Sequence, residues 1–455
     1  MKKGLVFASL VVMMLLVSAL PVSADSDNSS LGVNVMLNTE ITDEILGTLG
    51  GFGKVNDLIP AINSLTMKIK AGDLAEIQAL PFVASASPDA VRQGAPIDTV
   101  EATNFSDGLS TWDLDVLNVT DYGFDNRQVA EDGTGVYVAV LDTGLVDSWR
   151  QYFPEERIAE EYAISFGGGG GQSGTVSSQP NKWEHDADSH GTHVTSSILG
   201  YSLSGTPVNG VAPMATVIPV KVLNQNGSGW SSVISRGITY VADLKMGPLA
   251  DFPVVINMSL GGSALDPVEK AAIDYAIDAG VIVVASAGNN GEVGMGYPGA
   301  YAPVISVAAT GWLGEWQADS WWYAVDDPEL GTTDLYYITD FSSRELPGQD
   351  LDVAAPGSWI VGPYNLNNGH TSYYYLGGTS MASPHIAGVV ALMAQKDPSL
   401  TAAEAEAILE ATALPMAPGC LTVLGSNGLP VEYCWGADAT GAGVAQADAA
   451  LNAIP

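Results

Sequence analysis

From about residue 110 onward, short apolar runs rich in β-branched residues recur at 136–141, 217–222, 254–258, 281–285 and 304–308. They lack polar alternation, which marks strands buried on both faces, as in a parallel sheet. Stretches of helical character lie between them, including 231–243 and 267–279. This alternation predicts an α/β domain: an open, doubly wound, mostly parallel sheet with helices on both faces. Such sheets place their sites at the carboxyl ends of the strands.

The first hundred residues follow another pattern. A short apolar strand is expected at 33–37, and Thr42-Asp43-Glu44 opens a helix-like stretch through Leu49. Leu65, Met67 and Ile69 alternate with Thr66 and Lys68, the period of a half-buried strand. A second helix is expected at 71–80 and a last strand at 82–91. The order β-α-β-β-α-β is ferredoxin-like, a small α+β unit. The turn-rich stretch 94–108 reads as a linker, and Gly167–Gly171 as a flexible loop.

The very N-terminus is different again. Lys2 and Lys3 precede a 16-residue apolar run, and Val22-Ser23-Ala24 supplies small residues for cleavage before Asp25. The run is short for a membrane span, so 1–24 reads as a secretory signal. The expected division is 1–24 signal, 25–95 α+β unit, 96–109 linker and 110–455 α/β domain. Export gives Cys420 and Cys434 an oxidising compartment, where a disulfide between them is expected.

Charge narrows the partners. The chain of 455 residues has 51 Asp+Glu against 16 Lys+Arg, a net charge of −35. Charged residues make up only 15%, below the usual ~25%, so the acidity comes from missing cations. Nucleic acid and anionic membrane surfaces are disfavoured as partners. No run after the signal is long and apolar enough to span a bilayer, so no membrane association is expected once the signal is removed.

Three motifs carry chemistry. VLDTG (140–144) puts Asp142 at a strand end, HGTHV (190–194) opens an expected helix with His190, and GTSMASPH (378–385) leads Ser380 into a helix. A serine hydroxyl needs an adjacent base, imidazole titrates near neutrality, and a carboxylate fixes the imidazole tautomer. Singly, each residue has a bland explanation: a turn Asp, a satisfied His, a Ser at a helix N-cap. Together and in this order they resemble a subtilisin-like serine protease, a subtilase. NMSLGG (257–262), VKVLNQNGSG (220–229), ASAGNNG (285–291), YPG (297–299) and APG (355–357) extend the resemblance over about 110–455.

The resemblance implies a secreted serine endopeptidase acting on proteins or peptides through an acyl-enzyme, without a cofactor. Asp142, His190 and Ser380 would form the triad, with the Asn289 side chain and the Ser380 N–H as oxyanion donors. Ser259, Leu260, Gly261, Gly227, Ser228 and Gly229 would bind substrate, and Gly296 would leave the primary pocket room for large apolar side chains. His193 and His385 would be structural. The unit at 25–95 resembles the inhibitory propeptide of a self-processed zymogen, with the maturation bond within about 92–110. A monomer is expected.

Departures limit the transfer. Ser189 stands where the family usually has Gly, and Thr195-Ser196 where it has Ala-Gly. Residues 201–209 do not match the usual calcium loop, and Gln151 replaces its Asp, so no metal ligands are assigned although structural calcium occurs in the family. Glu184, Asp186 and Asp188 read as a solvated acidic loop rather than a cation site. The aromatic insert 312–337 reads as a loop packing its own rings, and Tyr373–Tyr375 as lining the leaving-group side. Asn104 and Asn118 carry glycosylation sequons.

Three other readings compete. An α/β-hydrolase needs G-x-S-x-G and the order Ser, acid, His, neither of which is present. A zinc protease needs H-E-x-x-H, also absent. A non-catalytic subtilase fold kept for binding remains the alternative.

Overall fold

The computed structural model describes residues 28–102, 111–121, 126–170, 176–313, 335–366, 371–424 and 429–455. The signal at 1–24, Asn104 and most of the aromatic insert lie outside the described residues.

A nine-stranded sheet forms the centre. Its parallel strands run in the order Ile164–Gly167, Thr216–Lys221, Tyr137–Asp142, Val254–Met258, Val281–Ser286 and Ile305–Trp312. The chain starts in the middle, winds one way, then returns and winds the other. The switch point flanks Tyr137–Asp142, where such sheets open a crevice at their carboxyl ends. Val353–Pro356 adds a parallel pairing to Ile305–Trp312, and Tyr336–Ile338 an antiparallel one.

Alternate side chains feed two cores. Val138, Val140, Ile282 and Val284 face the layer that holds helices His190–Leu199 and Thr379–Lys396. Ala139, Leu141, Val281 and Val283 face the layer of Ser231–Met246 and Pro267–Asp278. Burial on both faces is why these runs are uniformly apolar. Thr379–Lys396 is itself buried from Thr379 to Ala394, and so carries almost no polar face.

Residues 30–88 form a separate four-stranded antiparallel sheet with its own core, including Val33, Val35, Leu49, Leu65 and Met67. The elements are Ser30–Leu37, Asp43–Gly50, Gly53–Ile59, Ser64–Lys70, Leu74–Gln78 and Val83–Pro88, a β-α-β-β-α-β order. Thr42 caps the first helix by accepting from the Ile45 N–H.

The structure differs from the sequence reading in places. The last strand ends at Pro88 rather than 91, because Val91–Gln93 pairs with Ser228–Trp230 of the large unit. The expected linker is partly a strand: Asp98–Glu101 pairs with Tyr373–Gly377. Asn118 is 5% exposed with φ +56°, too buried to carry a glycan. Residues 201–209 make a tight hairpin turning at Ser204-Gly205, both at positive φ.

Cys420 and Cys434 are directly opposed in the hairpin Gly419–Leu424/Pro430–Trp435 and are disulfide-bonded. Closing a loop of 14 positions stabilises by about 3 kcal/mol through the unfolded chain. Within Thr379–Lys396, a Cβ on Gly388 would lie 2.6 Å from Val211 Cβ. Gly388→Ala is therefore expected to lose about 1–3 kcal/mol by overpacking. Urea unfolding checks this, and an unchanged midpoint would mean that Val211 moves aside.

Candidate active site

Asp142 ends the central strand, fully buried. Its Oδ1 accepts from the Thr143 N–H at 2.7 Å and faces His190 Nδ1 at 2.8 Å. His190 begins its helix after Ser189, which sits at φ +74°, a region where a side chain is strained. Asp186 holds that start together, accepting from Ser189 N (2.8 Å), Thr192 N (3.2 Å) and Thr192 Oγ1 (2.8 Å). The unusual Thr195 and Ser196 turn their hydroxyls back onto the carbonyls of Gly191 and His193.

Ser380 occupies the first turn of the buried helix. Pro384, four residues on, cannot donate to the Ser380 carbonyl. Ser259 Oγ donates to that carbonyl instead, at 2.8 Å. Ser380 Oγ in turn donates to the Ser259 carbonyl at 3.2 Å. His190 Nε2 is buried and has no hydrogen-bond partner among the described residues. The serine and histidine are thus not yet hydrogen-bonded. Asn289 Oδ1 accepts from Thr379 N (2.9 Å) and Thr379 Oγ1 (2.8 Å), which fixes the amide. Asn289 Nδ2 lies 3.6 Å from where a Gly378 Cβ would stand, and Pro96 Cα 3.7 Å from the same point.

Burial opposes charge on the His190 ring, but the adjacent Asp142 charge and hydrogen bond outweigh it, so its pKa stands above the ordinary imidazole value. Asp188 and Asp186 add to the pull. Burial pushes Asp188 up to about 6, against the attraction of His190. His193 is pushed down to about 3 by burial, so it stays neutral, and its Nε2 meets the Ile360 carbonyl at 3.2 Å. His385 is pinned between the Met381 carbonyl and Asp113 Oδ2, each at 2.7 Å. Both histidines are packing elements.

The cleft is filled by the chain itself. Val91–Gln93 runs antiparallel to Ser228–Trp230 on one side. On the other, Gln93 exchanges two 2.9 Å hydrogen bonds with Gly261, while Gly94 N donates to the Gly227 carbonyl at 2.9 Å. A Cβ on Gly94 would stand 2.6 Å from the Ser259 oxygen and 3.3 Å from His190 Cε1. Gly227, at φ +64°, tolerates no side chain, because its Cβ would meet the Gly94 oxygen at 2.3 Å.

So Gly227, Ser228, Gly229, Ser259 and Gly261 come together along this strand. Leu260 turns its side chain into the core, and Gly296 sits against Gly261 and Gly262 rather than the strand. Tyr373–Gly377 flanks the chain beyond Pro96. Of the insert, Tyr336 and Tyr337 are buried and Trp312 packs on Trp112.

The acidic loop does not gather: Asp186 is buried as a cap, Glu184 binds Arg150 and Trp149, and Asp188 faces His190. Asp350, Asp352 and Glu406 instead bring carboxylate oxygens within 4.8 Å of one another. Ser306 N–H and Oγ donate to Asp352 Oδ2, and Asp352 Oδ1 is buried without a partner among the described residues. That hard-oxygen set fits calcium. Sequence reasoning missed this cluster, although Asp350 and Asp352 stand just before the APG motif.

It also missed Arg92 and Glu269. Arg92 is fully buried in the cleft, and its Nε lies 3.0 and 3.1 Å from the two Glu269 oxygens.

Comparison with known proteins bears on the family of the chain. The subtilase family model (peptidase S8) matches residues 133–436. The thermostable alkaline protease of Halalkalibacterium halodurans is 34% identical over 61% of this chain and 63% of its own length. Thermitase of Thermoactinomyces vulgaris is 33% identical over 62% of this chain and 82% of its own. Fervidolysin from Fervidobacterium pennivorans superposes on 95% of this chain and 62% of its own, with TM-score 0.66 and 24% identity, a likeness of fold. The matches thus span under two thirds of the alkaline protease and of fervidolysin.

The Asp188 charge favours the imidazolium of His190, so removing it lowers the His190 pKa. Asp188→Asn is expected to move the acid limb of any His190-dependent rate to lower pH, by a few tenths to about one unit. A pH–rate profile checks this; a limb that stays put or rises would refute the coupling.

Proposed function

Because the chain belongs to the subtilase family, we propose that it is a secreted serine endopeptidase made as a self-processed zymogen. The observation that carries this reading is the segment Val91–Gln93, bound like a substrate strand with Gly94 against Ser259 and His190. Residues 25–95 act as folding aid and inhibitor, and 110–455 as the catalytic domain. The partners are protein and peptide substrates, and no cofactor enters the chemistry.

In this mechanism Ser380 Oγ swings from the Ser259 carbonyl to His190 Nε2. It gives up its proton there while attacking the substrate carbonyl carbon. Asp142 keeps the Nδ1–H in place and stabilises the imidazolium that forms. The Asn289 Nδ2 amide and the Ser380 N–H, at the start of a helix, receive the developing oxyanion. Such an Asn contributes about 100–1000-fold in turnover, a magnitude that comes from subtilisin rather than from this chain. His190 then protonates the leaving nitrogen, the C–N bond breaks, and water reverses the steps to free Ser380.

A calcium ion at Asp350, Asp352 and Glu406 would neutralise three close carboxylates and so act on stability alone. No helix among the described residues is long and apolar enough to cross a membrane.

The maturation bond is assigned at or within one bond of Ala95–Pro96. Gly94 lies on the His190 side and Pro96 on the Asn289 side. Intact mass and N-terminal sequencing test this. Wild type is expected to begin at Pro96 or within one residue of it, while Ser380→Ala keeps the whole pro-unit. Full-length wild type with Ser380 unlabelled by a fluorophosphonate would refute self-processing. For the residue before the scissile bond, the glycine at 296 leaves room for large apolar side chains. A peptide panel varying that position checks this preference, which a ranking led by acidic residues would overturn.

A further inference from the structure

We propose that the cleft selects arginine at the fourth residue before the scissile bond, and that Glu269 sets this choice. The inference rests on the endopeptidase reading and names the substrate class of that same site. With Ala95 at the reacting position, counting back along the bound strand puts Arg92 fourth.

The Arg92 side chain is fully buried in a pocket made by the large unit. Its Nε lies 3.0 and 3.1 Å from the two Glu269 oxygens, and Nη2 also meets Glu269 Oε2. Nη2 donates to the Ala264 carbonyl at 2.9 Å, and Nη1 to the Val91 carbonyl at 3.1 Å. Every guanidinium nitrogen thus has an acceptor. Glu269 is itself 0% exposed, in the first turn of Pro267–Asp278. Gly262 forms the wall, and a Cβ there would stand 2.7 Å from Arg92 Nη1. The pocket is therefore shaped for a planar, doubly hydrogen-bonded cation.

Stability alone does not explain the pair. A buried ion pair is often no better than an apolar pair of similar volume. The acid belongs to the enzyme and stays in the cleft when the strand leaves. A substrate with an apolar fourth residue would bury Glu269 without a partner, whereas arginine restores the fork. Lysine supplies charge without that geometry. The choice also protects the chain: beyond Arg92 it offers only Arg127, Arg150, Arg157, Arg236 and Arg344 as such anchors.

The test uses four acetylated peptide anilides, Xaa-Gln-Gly-Leu-p-nitroanilide, with Xaa as Arg, Lys, norleucine or Glu. Mature wild type is compared with Arg92→Met/Glu269→Met, in which strand and pocket stay matched so that the precursor can fold. Wild type is expected to prefer Arg over norleucine by about tenfold or more in kcat/KM, with Lys between and Glu last. The double variant is expected to put norleucine first. Equal rates for Arg and norleucine in wild type, or an unchanged ranking in the double variant, would overturn the role of Glu269 while leaving the endopeptidase reading intact. If wild type cleaves none of the four and Ser380 resists a fluorophosphonate, both fall.

Discussion

One antiparallel strand organises the cleft. Val91–Gln93 hydrogen-bonds on both edges, to Ser228–Trp230 and to Gly261, and so fixes the register of everything beside it. That double pairing needs bare backbone on either side. Gly227 supplies it on one flank and Gly262 on the other, where a Cβ would collide with the Val91 oxygen at 2.4 Å. The strand also ties two cores that share no sheet. On its amino side Asp89 reaches the helix Ser231–Met246, accepting from Ser232 N at 3.0 Å and Ser232 Oγ at 2.6 Å. Trp230, at the N-cap of this helix, makes no side-chain cap, and Asp89 of the N-terminal unit provides one. On its carboxyl side Ile97 N donates to the Gly377 carbonyl at 2.6 Å, and the chain leaves along Tyr373–Gly377.

How much of this the sequence reveals depends on how local each signal is. The parallel strands are legible because burial on both faces leaves unbroken apolar runs; Val254–Met258 coincides with its expected bounds. The motifs around Asp142, His190 and Ser380 are legible because each is a short stretch with fixed neighbours. The strand Gly53–Ile59 is not, since its half-exposed side chains mix Lys, Asn and Asp with apolar residues and blur the alternation. Asp98–Glu101 reads locally as a linker because its hydrogen bonds go to residues some 270 positions later. Arg92 and Glu269 are 177 positions apart, and neither carries a local pattern announcing the other. The same holds for Asp113 and His385, separated by 272. Pairings at such separations are therefore the least readable, although the glycines and serines around them are readable.

The charge balance shapes how buried carboxylates are held. With 51 acids and 16 bases, most acids find no cation. Asp186 and Asp89 are bound instead by hydroxyls and by N–H groups at helix starts, where the helix dipole favours negative charge. Asp266 does the same for Pro267–Asp278, accepting from Val268 N at 2.8 Å. Asp89 and Asp266 then meet across the boundary between the units. Ser231 Oγ lies 2.9 Å from one and 2.8 Å from the other, and Asn34 Nδ2 contacts both. Ser231 and Asn34 thus sit between the two carboxyl groups.

On the proposed reading, that arrangement bears on which contacts hold the N-terminal unit in place. The Asp89 cap on Ser231–Met246 is one of them, since its loss takes an acceptor from the N–H groups at that helix start. Arg92 is another: it pairs with Glu269, whose carboxyl burial pushes above its usual range. Breaking one side of a buried ion pair costs more than the pair contributes when intact. On the proposed reading, the strand hydrogen bonds, the Asp89 cap and Arg92 together hold the N-terminal unit in the cleft. On the same reading, an arriving substrate must offer the strand hydrogen bonds and the arginine, so inhibition and selectivity are properties of a single pocket.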